Sequence, residues 1–204
     1  LGLRVHVEDV SEQVAALALQ GPTSARLLAA VSDLPIATLK YFRAGSGTIA
    51  GVPVEVTRTG YTGDLGYEIW MDAKDALKIW DTLMEAGADY GITPAGILAM
   101  DMARVEAGLF MLDVDYTSTT HAWIEPQKSS PFELGLDWTV ALDKKGYFVG
   151  RRALEKEKRE GSVWKMVGLE VDWVGMENIF KQVGLPPQIP GMAVRGSLPI
   201  LVGS

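Results

Sequence analysis

The sequence predicts an α+β domain, and three observations carry that reading. Apolar and polar residues alternate over short stretches bounded by glycine, as half-buried strands require. Two longer stretches repeat their apolar residues at helical spacing. Strands and helices follow one another in mixed order.

Taken in order, Val14-Ala15-Ala16-Leu17-Ala18-Leu19-Gln20 is a short apolar run closed by Gly21-Pro22, which predicts a buried strand followed by a turn. Thr23 or Ser24 then caps a helix through residues 25–31. Gly47-Thr48-Ile49-Ala50 leads into Gly51, after which Val52, Val54 and Val56 alternate with Pro53, Glu55 and Thr57. A glycine-bearing loop separates this pair from a strand over Tyr67-Glu68-Ile69-Trp70-Met71. Asp72 is placed to cap an amphipathic helix whose apolar face holds Ala76, Leu77, Trp80, Leu83 and Met84, stopped by Gly87. A second helix takes Thr93 as N-cap and Pro94 as its first residue, with Leu98, Met102, Val105 and Leu109 on its buried stripe.

Beyond Gly108 the pattern changes. Residues 113–133 are polar and aperiodic, which predicts a long loop, a common place for binding groups. A strand is expected over residues 136–142, a helix from Phe148 to about Glu160, and an alternating strand over residues 164–171. Pro186, Pro187 and Pro190 mark a loop-rich tail. A domain boundary is expected near residue 161, and the stretch beyond it is too short to fold alone.

Composition excludes several classes. The chain has 204 residues, 48% of them apolar, which suits a packed core rather than disorder. It has no cysteine, so neither a disulfide framework nor thiolate ligation of zinc or iron–sulfur clusters is open to it. The formal net charge of −7, with basic and acidic groups interleaved in residues 151–160, opposes nonspecific attraction to nucleic acid or an anionic membrane. No apolar run approaches the roughly 18 residues of a membrane span. The chain opens on Leu1-Gly2-Leu3 and stops at Pro199-Ile200-Leu201-Val202-Gly203-Ser204, which reads as a strand cut short, so an excerpt of a longer protein is expected.

Few segments carry chemistry. Gly45-Ser46-Gly47-Thr48-Ile49-Ala50-Gly51 lacks the helix that a dinucleotide fingerprint opens, and reads as a hairpin. Asp113-Val114-Asp115 lacks the glycine and terminal glutamate of a calcium loop. His6 reads as an exposed strand residue, and His121 lies in the long polar loop; neither has a metal-spaced partner, so no metal site is expected. The informative segment is Arg58-Thr59-Gly60-Tyr61-Thr62-Gly63-Asp64-Leu65-Gly66-Tyr67-Glu68-Ile69. Its three evenly spaced glycines and interleaved tyrosines bring backbone and aromatic faces close to something flat. If Tyr67 and Ile69 face the core, alternation turns Glu68 the other way, into solvent or a cleft. A carboxylate in a cleft suits a heterocycle with two adjacent N–H donors.

In order and spacing, residues 17–22 (Leu-Ala-Leu-Gln-Gly-Pro), the Arg58 to Ile69 motif and residues 101–109 resemble the tetrahydrofolate-dependent aminomethyltransferase family, the T-protein of glycine cleavage. Residues 131–138 and 148–151 extend the match, and residues 167–169 and 195–200 resemble the opening of that family's C-terminal β-barrel. The resemblance implies that residues 1–160 are the later part of a folate-binding domain and residues 161–204 the beginning of a truncated barrel domain. It implies tetrahydrofolate as cofactor, with Glu68 gripping the pterin ring and Tyr61 and Tyr67 lining the cavity. A small-molecule one-carbon donor or a lipoyl carrier protein is the implied partner, and the cytoplasm the implied location. The family's catalytic aspartate is expected several dozen residues before the Leu-Ala-Leu-Gln-Gly-Pro segment, ahead of Leu1.

The departures matter as much. The family usually has an arginine, a folate contact, where this chain has Met100, and Arg104 lies one helical turn on. The stretch after Gly108 is expanded, and Asp115, Tyr116, His121 and Trp123 are its expected substrate-loop residues. Two other relatives remain open. One is a non-enzymatic folate-binding protein of iron–sulfur cluster assembly, whose lysine-glycine-cysteine-tyrosine motif is approached by Lys145-Gly146-Tyr147 without the cysteine. The other is the folate domain of a flavin-dependent demethylating dehydrogenase.

Overall fold

The computed structural model describes residues 4–189, 191 and 192. The chain divides into two compact units between Leu109 and Phe110. The first is built on a four-stranded antiparallel sheet of β1 (Val14–Gln20), β2 (Ala44–Ile49), β3 (Val52–Thr57) and β4 (Gly66–Asp72), in the order β1-β4-β3-β2. The helices α1 (Ser24–Val31) and α2 (Ala76–Gly87) pack on each other, α1 also against β4 and α2 against β1.

Alternation along the strands decides which face the helices cover. Leu19, Val52, Val54, Val56, Tyr67, Ile69 and Met71 turn inward, joining Leu27 and Leu28 of α1 and Ile79 and Leu83 of α2 in one apolar core. In register, Leu19 lies opposite Tyr67, and Leu17 and Val56 flank Ile69. The residues between them, among them Ala18, Glu68 and Thr57, are carried by the same register to the opposite face.

The hairpin turn between β2 and β3 is held by Ala50 and Gly51, both with positive φ (50° and 76°). Two left-handed residues match the strand twist, and alanine is a poor choice for the first of them. Ala50→Asn is expected to stabilise the chain by roughly 0.5–1 kcal/mol. A thermal unfolding midpoint that does not rise would show that the turn is not strained at Ala50.

Asp72 does cap, but its carboxylate accepts from the Lys74 amide of a short 3₁₀ turn (Ala73–Asp75) that leads into α2. The predicted stripe of α2 is corrected in two places. Leu77 is 70% exposed and Trp80 40% exposed, and Ile79 takes the core position because the sheet-facing side of the helix is the one shared by Ile79 and Leu83. The helix α3 (Ile97–Glu106) begins after Gly96 rather than at Pro94, and its predicted stripe also fails: Leu98, Met102 and Val105 are exposed. The buried residues of α3 are Asp101 and Arg104, whose side chains form an ion pair at 2.8 Å. Apolar spacing alone cannot reveal that the charged side of a helix is the one turned inward.

The second unit has a small apolar content inside and long irregular stretches. Short 3₁₀ turns at Glu125–Gln127 and Asp137–Thr139 precede the helices α4 (Arg151–Glu160) and α5 (Trp173–Gln182). The predicted strand over residues 136–142 is replaced by the second of these turns, and residues 164–171 form no strand. Alternation is a condition for a strand, but a ladder also needs a partner, and among the described residues the backbone of residues 164–171 makes one inter-segment bond, from the Met166 amide to the Glu133 carbonyl. α5 stands where a loop-rich tail was expected, its first turn capped by the Asp172 carboxylate accepting from the Gly175 amide. Pro190 and residues 195–200, which carry part of the expected barrel, lie outside the described residues.

Candidate functional site

Glu68 sits mid-strand on β4, half-buried, between Ala18 of β1 and Thr57 of β3 in one cross-strand row. Its neighbour Ala18 is small and exposed, so the carboxylate stands beside a low point on the face that the helices leave uncovered. Glu68 Oε2 accepts from Thr59 Oγ1 at 2.5 Å and lies 3.3 Å from Thr57 Oγ1, and the two threonine hydroxyls are 2.6 Å apart. Such bonds hold a carboxylate in one orientation, ready to accept further donors.

The glycine-rich loop before β4 is anchored by Gln20, the last residue of β1. Gln20 Nε2 donates to the Thr59 carbonyl at 3.4 Å and to the Tyr67 carbonyl at 3.2 Å, and Gln20 Oε1 accepts from Thr62 Oγ1 at 3.3 Å. A Cβ at Gly60 or Gly66 would come within 2.0 Å or 1.8 Å of Gln20 Oε1. Both glycines therefore make room for one side-chain amide. Arg58 donates to the Leu39 carbonyl at 3.0 Å and fixes the loop's entry. A cavity of about 370 Å³ borders this loop, lined by Tyr41, Arg58, Thr59, Asp64 and Leu109 among others. A second, of about 400 Å³, lies under the Gly21-Pro22 turn against Trp80 and Tyr90. Glu68 lines neither.

Of the other residues singled out in the first unit, Tyr61 is half-buried within the loop, whereas Tyr67 is buried in the core on the face opposite Glu68. Strand alternation makes it impossible for adjacent residues 67 and 68 to serve one surface, so the structure does not bring Tyr67 to Glu68. Met100 is half-buried on α3. Arg104, one turn on, is 2% exposed, paired through Nε with Asp101 and donating from Nη1 to the Leu109 carbonyl at 3.3 Å. Its guanidinium is buried and engaged with these groups.

In the second unit, Asp115 and Tyr116 border a cavity of about 280 Å³ with Lys128, Glu133, Trp164 and Lys165. Asp115 accepts from the Met111 amide at 2.7 Å. His121 and Trp123 do not line that cavity. His121 Nδ1 lies 2.8 Å from Asp113 Oδ2, and Trp123 is 92% exposed. The amide of Ser118, its hydroxyl and then His121 hold Asp113 below the ordinary carboxylate pKa. That contribution to stability is present above the usual carboxylate range and is lost as pH falls through the lowered value. Among the described residues no cluster of histidine and carboxylate side chains is arranged to hold a metal ion, and no helix is long and apolar enough to cross a membrane.

Sequence reasoning missed Gln20, Thr57 and Thr59 as parts of the Glu68 site. Thr57 stands just before the motif and Thr59 is its second residue, a spacing of two that is the one local signal that both hydroxyls share a side; nothing local ties Gln20 to residues 59–67.

An antiparallel sheet with helices on one face and a held carboxylate on the other defines an α+β domain. The chain belongs to the GCVT N-terminal domain family, whose family model matches residues 2–144. It is 42% identical over 173 residues to the aminomethyltransferase of Halothermothrix orenii, covering 85% of this chain and 46% of that protein. It is 37% identical over 194 residues to the aminomethyltransferase of Halalkalibacterium halodurans, covering 95% of this chain and 50% of that protein. The fold is similar to the crystal structure of glycine cleavage system aminomethyltransferase T from Bartonella henselae, with a TM-score of 0.58 and 29% identity over 72% of this chain and 37% of that one. The chain spans about half the length of the curated relatives it matches.

Proposed function

We propose that this chain is the folate-binding part of a tetrahydrofolate-dependent aminomethyltransferase of glycine cleavage. The observation that carries the reading is Glu68: a carboxylate on the uncovered sheet face, beside the small Ala18, with Oε2 already held by Thr59. That acceptor fits the edge of a reduced pterin, which offers adjacent N–H groups to a carboxylate. When bound, tetrahydrofolate supplies N5, the atom that accepts the one-carbon unit. Glu68 holds and orients the ring, and the sheet beneath it keeps the carboxylate in place. Tyr61 lines the approach from the glycine loop.

The donor is an aminomethyl group presented by a lipoyl carrier protein, or a small-molecule one-carbon donor. Asp115 and Tyr116, which share a cavity in the second unit, are the loop residues best placed to meet it. Residues 1–160 are assigned to the folate-binding domain and residues 161–204 to the opening of a C-terminal barrel, on the strength of the family motifs at residues 167–169 and 195–200. A cytoplasmic location belongs to the same proposal.

Equilibrium titration of 5-formyltetrahydrofolate tests the central assignment. Glu68→Gln keeps the shape but turns one acceptor oxygen into an NH2 donor, and is expected to weaken binding about tenfold or more. Equal affinity for the two proteins would remove Glu68 from the site.

A further inference from the structure

We propose that Thr59 is the positioning residue of the Glu68 site, fixing one carboxylate oxygen within the protein so that the group meets paired N–H donors in a set orientation. This rests on the assignment of Glu68 to the pterin edge. Three oxygens lie close together: Thr59 Oγ1 is 2.5 Å from Glu68 Oε2, Thr57 Oγ1 is 2.6 Å from Thr59 Oγ1, and Thr57 Oγ1 is 3.3 Å from Oε2. Each hydroxyl has one hydrogen to donate, and an ionised carboxylate only accepts. The shortest contact to the carboxylate is that of Thr59, so its hydrogen goes to Oε2. The contact between the two hydroxyls then needs a hydrogen from Thr57. The result is a one-way chain in which Thr57 donates to Thr59 and Thr59 donates to Glu68, each bond polarising the next.

This order leaves the ligand side open. Oε2 takes one bond and keeps acceptor capacity, and Oε1 takes none from the described residues. A carboxylate accepts about four hydrogen bonds in all, so both oxygens remain available to a pair of adjacent donors. Without the chain, a half-exposed glutamate would distribute over several rotamers, and binding would have to order it.

Thr59 rather than Thr57 is the controlling member because of where each sits. Thr57 is the last residue of β3 and is placed by the ladder opposite Glu68. Thr59 lies beyond the strand, and its backbone is fixed by Gln20, whose one amide group reaches the Thr59 and Tyr67 carbonyls together. Gln20 thus sets the distance between the residue that holds Glu68 and the strand that bears it.

The test uses the 204-residue chain and two readouts: titration with 5-formyltetrahydrofolate, and the Glu68 carboxyl resonance in protein labelled with carbon-13 at glutamate Cδ, identified by its loss in Glu68→Gln. Thr59→Val, which keeps the shape and removes the hydroxyl, is expected to shift that resonance and weaken binding about 5- to 10-fold, the scale of one charge-assisted hydrogen bond. Thr59→Ser is expected to return both readouts to within about twofold of the parent. If Thr59→Val disrupts packing, Thr59→Ala is read in the same way. An unshifted resonance and unchanged affinity in the hydroxyl-free variants, with Glu68→Gln still weak, would overturn the positioning role alone. Equal affinity of Glu68→Gln and the parent would overturn the pterin assignment, while the resonance still decides whether Thr59 holds the carboxylate.

Discussion

Arg104→Met is expected to lower the unfolding free energy by about 3–5 kcal/mol, the largest effect of any substitution considered. Asp101 and Arg104 are 1% and 2% exposed, and their 2.8 Å contact compensates two charges taken out of water on the inner side of α3. Methionine fills much of the arginine's volume and contributes no charge, so the buried Asp101 loses its 2.8 Å contact with the guanidinium, and the Leu109 carbonyl loses a donor. The cost comes from stranding one ion rather than from any large net worth of the pair. Replacing both partners should therefore recover most of the loss: Asp101→Leu with Arg104→Met is expected to fall within about 1–2 kcal/mol of the parent. Urea denaturation of the parent, single and double variants measures both quantities. A single variant within about 1 kcal/mol of the parent would mean that Asp101 finds other compensation.

Gly66→Ala is expected to cost about 2–4 kcal/mol, for a reason unrelated to backbone freedom. Gly66 is an ordinary strand residue, outside the positive-φ set, and alanine is acceptable to the ladder at that position. The obstacle is the Gln20 amide, 1.8 Å from where the new methyl would stand. Gln20 is flexible and can move away, but it then gives up its bonds to the Thr59 and Tyr67 carbonyls and to the Thr62 hydroxyl. The glycine is thus required by one side chain, and that requirement has a signature in a double-mutant cycle. Once Gln20 is replaced by alanine, adding Gly66→Ala should cost no more than about 0.5 kcal/mol further. Additive losses would show that Gly66 is needed for some other contact.

The parts of the fold legible in the sequence are those whose pattern is set by one buried face. β1, the hairpin of β2 and β3, β4 and α2 all face a single apolar core, so local spacing was enough to locate them, although β1, expected to be buried, buries only Leu19, and α2 turns Ile79 inward in place of Leu77 and Trp80. α3 was legible as a helix but not in its orientation, because the inward side carries Asp101 and Arg104 while Leu98, Met102 and Val105 face out. Residues 136–142 and 164–171 alternate as strands do, yet the described residues of the second unit supply no ladder to receive them. The helix α5 was signalled by Asp172 as an N-cap, a cue masked by the prolines and glycines that follow it.

The same division holds for the site. That Glu68 turns away from the core follows from its place between Tyr67 and Ile69, and the structure has that arrangement. The assignment of Tyr67 to the same cavity conflicted with the alternation that placed Glu68, and the buried tyrosine shows which constraint governs. The glycine motif was read as room for a ligand, whereas two of its glycines accommodate the amide of Gln20, 47 positions in sequence from the Tyr67 carbonyl to which it donates. A residue so far from its partners leaves no trace in local spacing.

The strand order has a consequence for how the sheet assembles. β2 and β3 are joined by a two-residue turn and β4 follows after a short loop, but β1, the earliest strand in sequence, pairs with β4, the latest. Closing so long a loop carries an entropic cost that is recovered only when the partner strand already exists, which makes the docking of β1 a late event in folding. Among the described residues β1, like β2, is an outer strand of the sheet, so local opening is easier there than at β3 or β4. Because β1 brings both Ala18 and Gln20, the surroundings of the Glu68 carboxylate are among the later features of the sheet to form. A ligand held at Glu68 beside β1 would therefore act as a clasp on an outer strand of the sheet.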